Sequence, residues 1–171
     1  MRTLVTLAPS DVAALTCPWC GRCPDAAQRG LAVVRDGRTV GVLVLGAADA
    51  ERDLCPAGAS VIERLWVSPD DVGEHIGTQL VQRACALLVA EGGRCLIAYG
   101  TLGRPDCAHL PAGWLERVGF KEHVGGVQWR IELRRTVPVA ELLADAVARL
   151  GQLVRPGQRP QPAGRVQRTS P

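Results

Sequence analysis

One segment of the chain joins a strand pattern to a helix pattern through a short turn that contains glycine. Residues 60–67 have the pattern of a buried strand, Val67-Ser68-Pro69 ends it, and helical spacing begins at Ile76. Such a corner points several backbone N–H groups and the positive end of a helix at one place, where a phosphate can bind. Gly73 and Gly77 lack a Cβ, so the backbone can approach a ligand closely there. The corner therefore predicts an anion-binding site.

The same corner carries charges that oppose this function. Asp70, Asp71 and Glu74 put three carboxylates beside the anion site, and like charges would repel a phosphate. The same acids also suit the N-terminal end of a helix without any ligand. Two interpretations are therefore open: a working phosphate site, or a well-capped corner that needs no ligand.

A second group of residues could bind a metal ion. Cys17, Cys20 and Cys23 have C-x-x-C-x-x-C spacing, which could place three thiolates around one ion. Zinc would need a fourth ligand, for which the candidates are Cys55, Cys107 or His109. An iron–sulfur cluster also fits the spacing, although zinc is favoured over it. The simpler interpretation is a turn of reduced thiols, since seven cysteines cannot all pair within one chain.

Two motifs together resemble the GCN5-related N-acetyltransferase (GNAT) superfamily. Val67-Ser68-Pro69 and the loop from Val72 to Gly77 resemble its Val-x-Pro strand end followed by Arg/Gln-x-x-Gly-x-Gly/Ala. Val72 stands where that pattern has Arg or Gln, and His75 stands at its central glycine. Trp114 to Phe120 resembles the second signature, an aromatic-rich helix that ends in Gly-Phe. The resemblance covers roughly residues 30–135 and implies an α+β fold with a central mixed, mostly antiparallel sheet flanked by helices.

Three further segments resemble an actinobacterial subgroup of this superfamily. They are the N-terminal cysteine cluster, the segment from Cys107 to Pro111, and the strand from Arg130 to Arg134. The subgroup also carries leucine at the position of Leu115, where other members have a tyrosine that protonates the leaving group.

The resemblance implies an acetyl-CoA-dependent N-acetyltransferase in which an amine attacks the thioester directly. The acyl acceptor would be a small-molecule or protein amine. The residues expected to bind acetyl-CoA are Leu65, Trp66, Val67, Val72, Gly73, Glu74, His75, Ile76, Gly77 and Thr78. The alternative is a catalytically weakened or inactive relative that serves protein interaction or cysteine-based metal or redox sensing.

Glu63 is the candidate catalytic base of this resemblance, because it is the carboxylate on the strand before the loop. Strand alternation predicts Glu63, Leu65 and Val67 on one face, with Arg64 and Trp66 on the other. Burial would have to raise the pKa of Glu63 for this role. The alternative for Glu63 is a salt bridge to a basic neighbour such as Arg64.

The elements that position these residues alternate between strands and helices. We predict strands at residues 3–7, 31–34, 39–45, 60–67, 95–99 and 127–133. A short helix should begin at Pro9-Ser10-Asp11, and two further helices should span 76–90 and 112–118. Ser10 or Asp11 should cap the first helix, and Asp36-Gly37 should form a hairpin turn. We expect a single acyltransferase domain at 1–137, an amphipathic helix at 138–154 and a disordered basic tail at 155–171.

Charge and hydropathy narrow the expected partners and location. The net charge is +3, but residues 151–171 carry four arginines and no acid, which leaves about −1 for residues 1–150. A nucleic-acid partner is therefore not expected for the domain. No apolar run has the length of a membrane span and no secretory signal pattern begins the chain, so a cytoplasmic protein is expected. The helix at 138–154 would pack on its own domain or form a homodimer.

Overall fold

The elements follow the predicted alternation, with two additional strands. A computed structural model describes residues 1–22, 29–51 and 53–133, which belong to one compact unit. The predicted C-terminal helix and basic tail lie outside these residues and stay predictions. The elements are β1 (Arg2–Leu7), α1 (Pro9–Ala13), β2 (Arg29–Arg35), β3 (Arg38–Ala47), β4 (Ser60–Val67), a 3-10 turn (Pro69–Asp71), α2 (Ile76–Ala90), β5 (Cys95–Thr101), β6 (Leu110–Pro111), α3 (Ala112–Val118), β7 (Lys121–Val124) and β8 (Gln128–Glu132).

The strands form one mixed sheet, which confirms the predicted α+β class. Their order is β1-β2-β3-β4-β5-β8-β7, with the short β6 beside β5. The β4–β5 and β5–β6 pairs are parallel, and the other pairs are antiparallel. The sequence patterns missed β6, which has two residues, and β7, whose side chains are mostly exposed and so lack apolar alternation.

The sheet has apolar side chains on both faces. Helix α2 packs Leu80, Ala84 and Leu88 into the larger core on one face, together with Leu43 and Leu65 of the sheet. On the other face lies a smaller cluster, formed by α1, the strands, the loop after β5 and the segment from Cys17 to Arg22, called here the cysteine segment. This cluster contains Val12, Cys17, Ala32, Val42, Val44, Trp66 and Cys107. Among the described helices, none is long and apolar enough to cross a membrane.

Two local predictions at the N-terminal end have different outcomes. The Asp36-Gly37 turn is confirmed, because both residues have left-handed backbones and join β2 to β3. The predicted cap of α1 is wrong, since Ala8 is the N-cap residue and Pro9 begins the helix. The Asp11 carboxylate instead accepts a hydrogen bond of 3.1 Å from the N–H of Ala8.

Strands β4 and β5 separate partway along their length. They pair only from Ser60 to Ile62 on β4, and a bulge follows at once, because Leu45 of β3 pairs with Ile62 while Val44 pairs with Arg64. Beyond the bulge, β4 continues along β3 to Val67 without pairing to β5. The result is a gap in the sheet that opens towards the start of α2.

Candidate active site

A cavity of about 760 Å³ extends from this gap to the beginning of α2. Its walls come from the end of β4, the corner before α2, the loop after β5, and α3. The lining residues named by the sequence patterns are Leu65, Trp66, Val67, Val72, Gly73, His75, Ile76, Gly77 and Thr78. Glu74 is the one predicted cofactor-binding residue that does not line the cavity.

The corner before α2 leaves its backbone donors available. His75 is the N-cap residue with a left-handed backbone (φ 59°), and its side chain makes no capping hydrogen bond. The first turn of a helix has N–H groups without intrahelical acceptors. In the part of the chain that the structure describes, the N–H groups of Ile76, Gly77 and Thr78 have no hydrogen-bond partner, and all three residues line the cavity. The cavity therefore ends at a helix N-terminus that can receive an anion.

The carboxylates of the corner are bound by arginines of the β2–β3 hairpin. Asp71 is 2% exposed and accepts hydrogen bonds from Arg35 (2.7 Å) and Arg38 (3.0 Å). Glu74 is also bound by Arg35, and this hydrogen bond lowers the pKa of Glu74 and raises the pKa of Arg35. Asp70 lies 3.7 Å from Arg38. Each of the three negative charges therefore has a cationic neighbour, which offsets part of the repulsion that the sequence predicts for a phosphate.

Two groups of the chain already occupy the edge of β4 that faces the gap. The N–H of Leu65 donates to the carbonyl oxygen of Cys107 at 2.8 Å. The indole N–H of Trp19 donates to the carbonyl oxygen of Val67 at 2.7 Å. Trp19 and Cys107 both line the cavity, so the cysteine segment and the loop after β5 form its wall on this side.

Glu63 occupies the bulge, at the point where β4 and β5 separate. Its side chain lies against Gly46, where a Cβ atom would be 2.6 Å from Glu63 Oε1. Because Gly46 pairs with Val61, this contact puts Glu63 on the face that carries Val61, whereas Leu65 faces the core around α2. The predicted common face of Glu63 and Leu65 is therefore wrong, since the bulge interrupts the alternation.

The carboxylate of Glu63 has no ion-pair partner among the described residues. Arg64, the alternative partner considered from sequence, donates to the backbone carbonyl of Glu63 at 2.9 Å instead. Glu63 does not line the cavity, but it is half-buried beside the narrow end of the gap.

The described residues offer no tyrosine at the position from which the superfamily's tyrosine protonates the leaving group. Leu115 stands at that position and is fully buried. Tyr99 donates its hydroxyl to the buried Asp53.

Three thiols meet beside the cavity. Cys17 and Cys20 lie with Cys107 so that all three Sγ atoms are within 4.8 Å of one another. A hydrogen bond from the Arg22 backbone lowers the pKa of Cys20, while burial raises the pKa of Cys107 to about 12. Of the three candidate fourth ligands, Cys107 belongs to this thiol cluster. Cys55 instead packs against the apolar cluster around Val61, and His109 contacts Asp106. Cys23 lies outside the described residues.

Several polar or aromatic cavity residues were not predicted from the sequence to bind acetyl-CoA, among them Trp19, Trp114 and Arg117. Trp19 lies between Cys17 and Cys20, and Trp114 and Arg117 lie in the segment that resembles the second signature. Trp114 and Arg117 are three residues apart on α3, which puts both on the side of the helix that lines the cavity. The Trp114 ring also packs over Gly77, where a Cβ atom would be 3.1 Å from the ring.

Comparisons with known proteins agree with this architecture. The ribosomal-protein-S18-alanine N-acetyltransferase of Escherichia coli superposes with a TM-score of 0.58 at 12% identity, over 78% of this chain and 94% of that one. The Salmonella typhimurium protein yncA, solved with acetyl-CoA, has a TM-score of 0.56 at 15% identity, over 80% and 96% of the two chains. The Escherichia coli GNAT family N-acetyltransferase YhbS, in complex with CoA, has a TM-score of 0.55 at 14% identity, over 78% and 82%. At these identities the likeness shows the fold.

The sequence comparisons are more specific about ancestry. No curated protein matches the chain. The sequence model of the acetyltransferase (GNAT) family matches residues 5–109, which include the second half of β1, β2 to β5, the corner and the start of the cavity wall after β5. Because this match spans more than half of the sequence and agrees with the fold and the cavity, the chain belongs to the acetyltransferase (GNAT) family.

Proposed function

We propose that this protein transfers the acetyl group of acetyl-CoA to an amine within the cavity between β4 and the β5–α3 segment. The observation that carries the proposal is that the N–H groups of Ile76, Gly77 and Thr78 have no partner among the described residues, and that all three residues line the cavity at a helix N-terminus. A pyrophosphate has the charge and the acceptor oxygens that such a site receives. Arg117 of α3 also lines this cavity, and of the lining residues that the structure describes it is the one with a permanent positive charge.

The gap between β4 and β5 suits the pantetheine arm of CoA. That arm is an extended chain with amide groups, and such chains can pair with an open strand edge. Two edge groups of β4, the N–H of Leu65 and the carbonyl of Val67, now bond to Cys107 and Trp19. Pantetheine would therefore either use the remaining groups of this edge or displace these two contacts.

In the proposed reaction, Glu63 accepts one proton from the substrate's ammonium group at the narrow end of the gap, which leaves a neutral amine. The amine nitrogen then attacks the thioester carbonyl carbon, the carbon–sulfur bond breaks, and the departing CoA thiolate takes up the second proton, which the new amide nitrogen releases. A thiolate can leave without a dedicated acid, which is consistent with Leu115 at the family's tyrosine position. A general base of this kind contributes about 10²–10⁴-fold to the rate.

A second candidate function is that of a catalytically weakened relative, used for protein interaction or cysteine-based sensing. The observation in its favour is the same pair of contacts on the edge of β4, because Trp19 and Cys107 fill positions that a bound arm could use. His75 is a second observation in favour of a weakened relative, because an imidazole stands where the family pattern has its central glycine.

Calorimetric titration with acetyl-CoA separates the two candidates. We expect the native protein to bind, and acetyl-CoA at 100 times the dissociation constant to raise the free energy of unfolding by about 2.7 kcal/mol. The variant His75→Gly with Val72→Arg restores the family pattern at the corner and should bind more tightly. Asp36→Gly is the matched control, because Asp36 is also left-handed (φ 49°) but lies in the β2–β3 turn. Binding by the double variant alone would support the weakened relative.

Glu63→Gln tests the proposed base. This variant keeps the shape of the side chain, so we expect unchanged acetyl-CoA affinity and a kcat lower by about 10²-fold or more. The measurement is CoA release with a panel of small amines and peptides that have free amino groups. Glu122→Gln, on the exposed strand β7, is the control and should keep full activity. Equal activity of Glu63→Gln and the native protein across pH 6–9 would remove Glu63 from the mechanism.

A further inference from the structure

The three cysteines beside the cavity come from two segments that are far apart in the sequence. Cys17 and Cys20 belong to the segment after α1, and Cys107 belongs to the loop between β5 and β6. The Sγ atoms of Cys20 and Cys107 are 3.3 Å apart, although the residues are separated by 87 positions. Cys17 and Cys107 are buried, while Cys20 is exposed. The fold therefore assembles a thiol cluster that C-x-x-C-x-x-C spacing alone does not describe.

A tight turn aims two of these thiols in the same direction. The N–H of Gly21 donates to the carbonyl oxygen of Cys17 at 2.9 Å, and the N–H of Cys17 donates to the carbonyl oxygen of Arg22 at 3.1 Å. Gly21 has a left-handed backbone (φ 68°), which a glycine adopts without strain. The turn thus presents Cys17 and Cys20 together to the loop that carries Cys107.

The spacing of the three sulfur atoms suits a tetrahedral metal ion. A zinc–sulfur bond is about 2.3 Å long, so two thiolates on one zinc ion lie about 3.8 Å apart. The three Sγ atoms, all within 4.8 Å of one another, need to move by only about an ångström to reach this spacing. A disulfide would instead join two sulfurs at about 2.05 Å and leave the third unpaired.

We propose that Cys17, Cys20 and Cys107 bind one zinc ion. Three soft thiolate ligands favour zinc over the hard divalent cations. The fourth position would be taken by water. Cys107, one of the fourth ligands that the sequence offered, is thus one of the three thiols that the fold brings together.

The metal would also stabilise one wall of the cavity. Cys20 is next to Trp19, whose indole bonds to Val67, and Cys107 bonds through its carbonyl to Leu65. A zinc ion at the cluster would therefore join both segments that contact the free edge of β4. The metal proposal does not rest on acetyl-CoA binding, so it can succeed or fail independently of the proposed function.

Metal analysis of the reduced full-length protein tests the proposal without any CoA compound. After incubation with Zn²⁺ and removal of the excess, we expect one zinc per chain by mass spectrometry. The X-ray absorption spectrum of this native protein should show at least three sulfur ligands at about 2.3 Å. A protein that retains no zinc, or whose zinc has fewer than three sulfur ligands, would overturn the proposal.

Single substitutions identify the ligands. Cys20→Ser and Cys107→Ser should each weaken zinc binding at least tenfold in competition with a chromophoric chelator. Cys55→Ser and Cys85→Ser are matched controls that should leave the affinity unchanged, because neither thiol belongs to the cluster. Circular dichroism of each variant checks that it is folded. Unchanged affinity in a folded Cys107→Ser variant, together with its loss in Cys23→Ser, would assign the metal to the N-terminal cysteines and overturn the proposed ligand set.

Discussion

His75 adopts a backbone conformation that explains the glycine of the family pattern. Its φ of 59° is in the left-handed region, which costs a residue with a Cβ about 1 kcal/mol or more. This conformation turns the chain from the corner into α2, whose first three residues, Ile76, Gly77 and Thr78, line the cavity. Position 75 therefore has a backbone conformation that a glycine would adopt without strain.

Asp71 is the residue on which the corner most depends for its charge balance. It is 2% exposed and bridges Arg35 and Arg38, which lie on neighbouring strands. We expect Asp71→Asn to lower the free energy of unfolding by about 1–2 kcal/mol, because an amide accepts weaker hydrogen bonds from two cations. Urea denaturation of the native and variant proteins measures this change.

Its sequence neighbour supplies the control for this prediction. Asp70 is 84% exposed and only 3.7 Å from Arg38, so Asp70→Asn should change stability by less than about 0.5 kcal/mol. Equal losses in the two variants would mean that the buried contacts of Asp71 contribute no more than a surface ion pair.

At the scale of elements, the bulge in β4 decides where the candidate base lies. Simple alternation puts Glu63 on the face of Leu65, but the extra residue moves it to the face of Val61 and Gly46. The cause lies in the pairing of β4 with β3, which inserts Glu63 between two paired positions. A pattern read along one strand contains no information about its partner, so the sequence could not predict this.

The contact between β3 and α2 sets the position of the corner. A Cβ atom at Gly41 would be 2.5 Å from Cγ2 of Ile76, the first residue of α2. We expect Gly41→Ala to push this end of the helix outward and to lower stability by about 1–3 kcal/mol. Because Ile76 lines the cavity, acetyl-CoA affinity should fall as well. Thermal unfolding and calorimetry measure the two effects.

Gly125→Ala is the control for the loss of a glycine. A Cβ atom at Gly125 would meet no atom within 4 Å, so the substitution should leave both stability and affinity unchanged. If Gly41→Ala behaved in the same way, the close approach of β3 and α2 would not position the corner.

At the scale of the whole molecule, charge is unevenly distributed along the chain. Residues 155–171 carry Arg155, Arg159, Arg165 and Arg168 without an acid, whereas residues 1–150 are nearly neutral. We expect removal of residues 155–171 to leave the Tm unchanged and to weaken retention on heparin at low salt. A decrease of the Tm by more than about 3 °C would show that the segment contributes to the fold.

The sequence by itself determined the main elements, the family resemblance and the corner before α2. These depend on local patterns: apolar periodicity, the turn at Asp36-Gly37, and Val67-Ser68-Pro69 before Gly77. Nine of the ten residues expected to bind acetyl-CoA line the cavity, because they are consecutive or alternate along one strand and loop. The sequence did not predict the strands β6 and β7, which lack an apolar pattern.

The tertiary structure alone decided which distant residues meet. Arg35 and Arg38 balance the corner acids, Trp19 and the Cys107 backbone occupy the edge of β4, and Cys107 joins Cys17 and Cys20. Each of these contacts joins residues at least thirty positions apart in the chain. Their side chains meet because of sheet order and loop path, which no local spacing encodes. The corner therefore follows from local sequence, whereas its charge balance and the wall of its cavity follow from the fold.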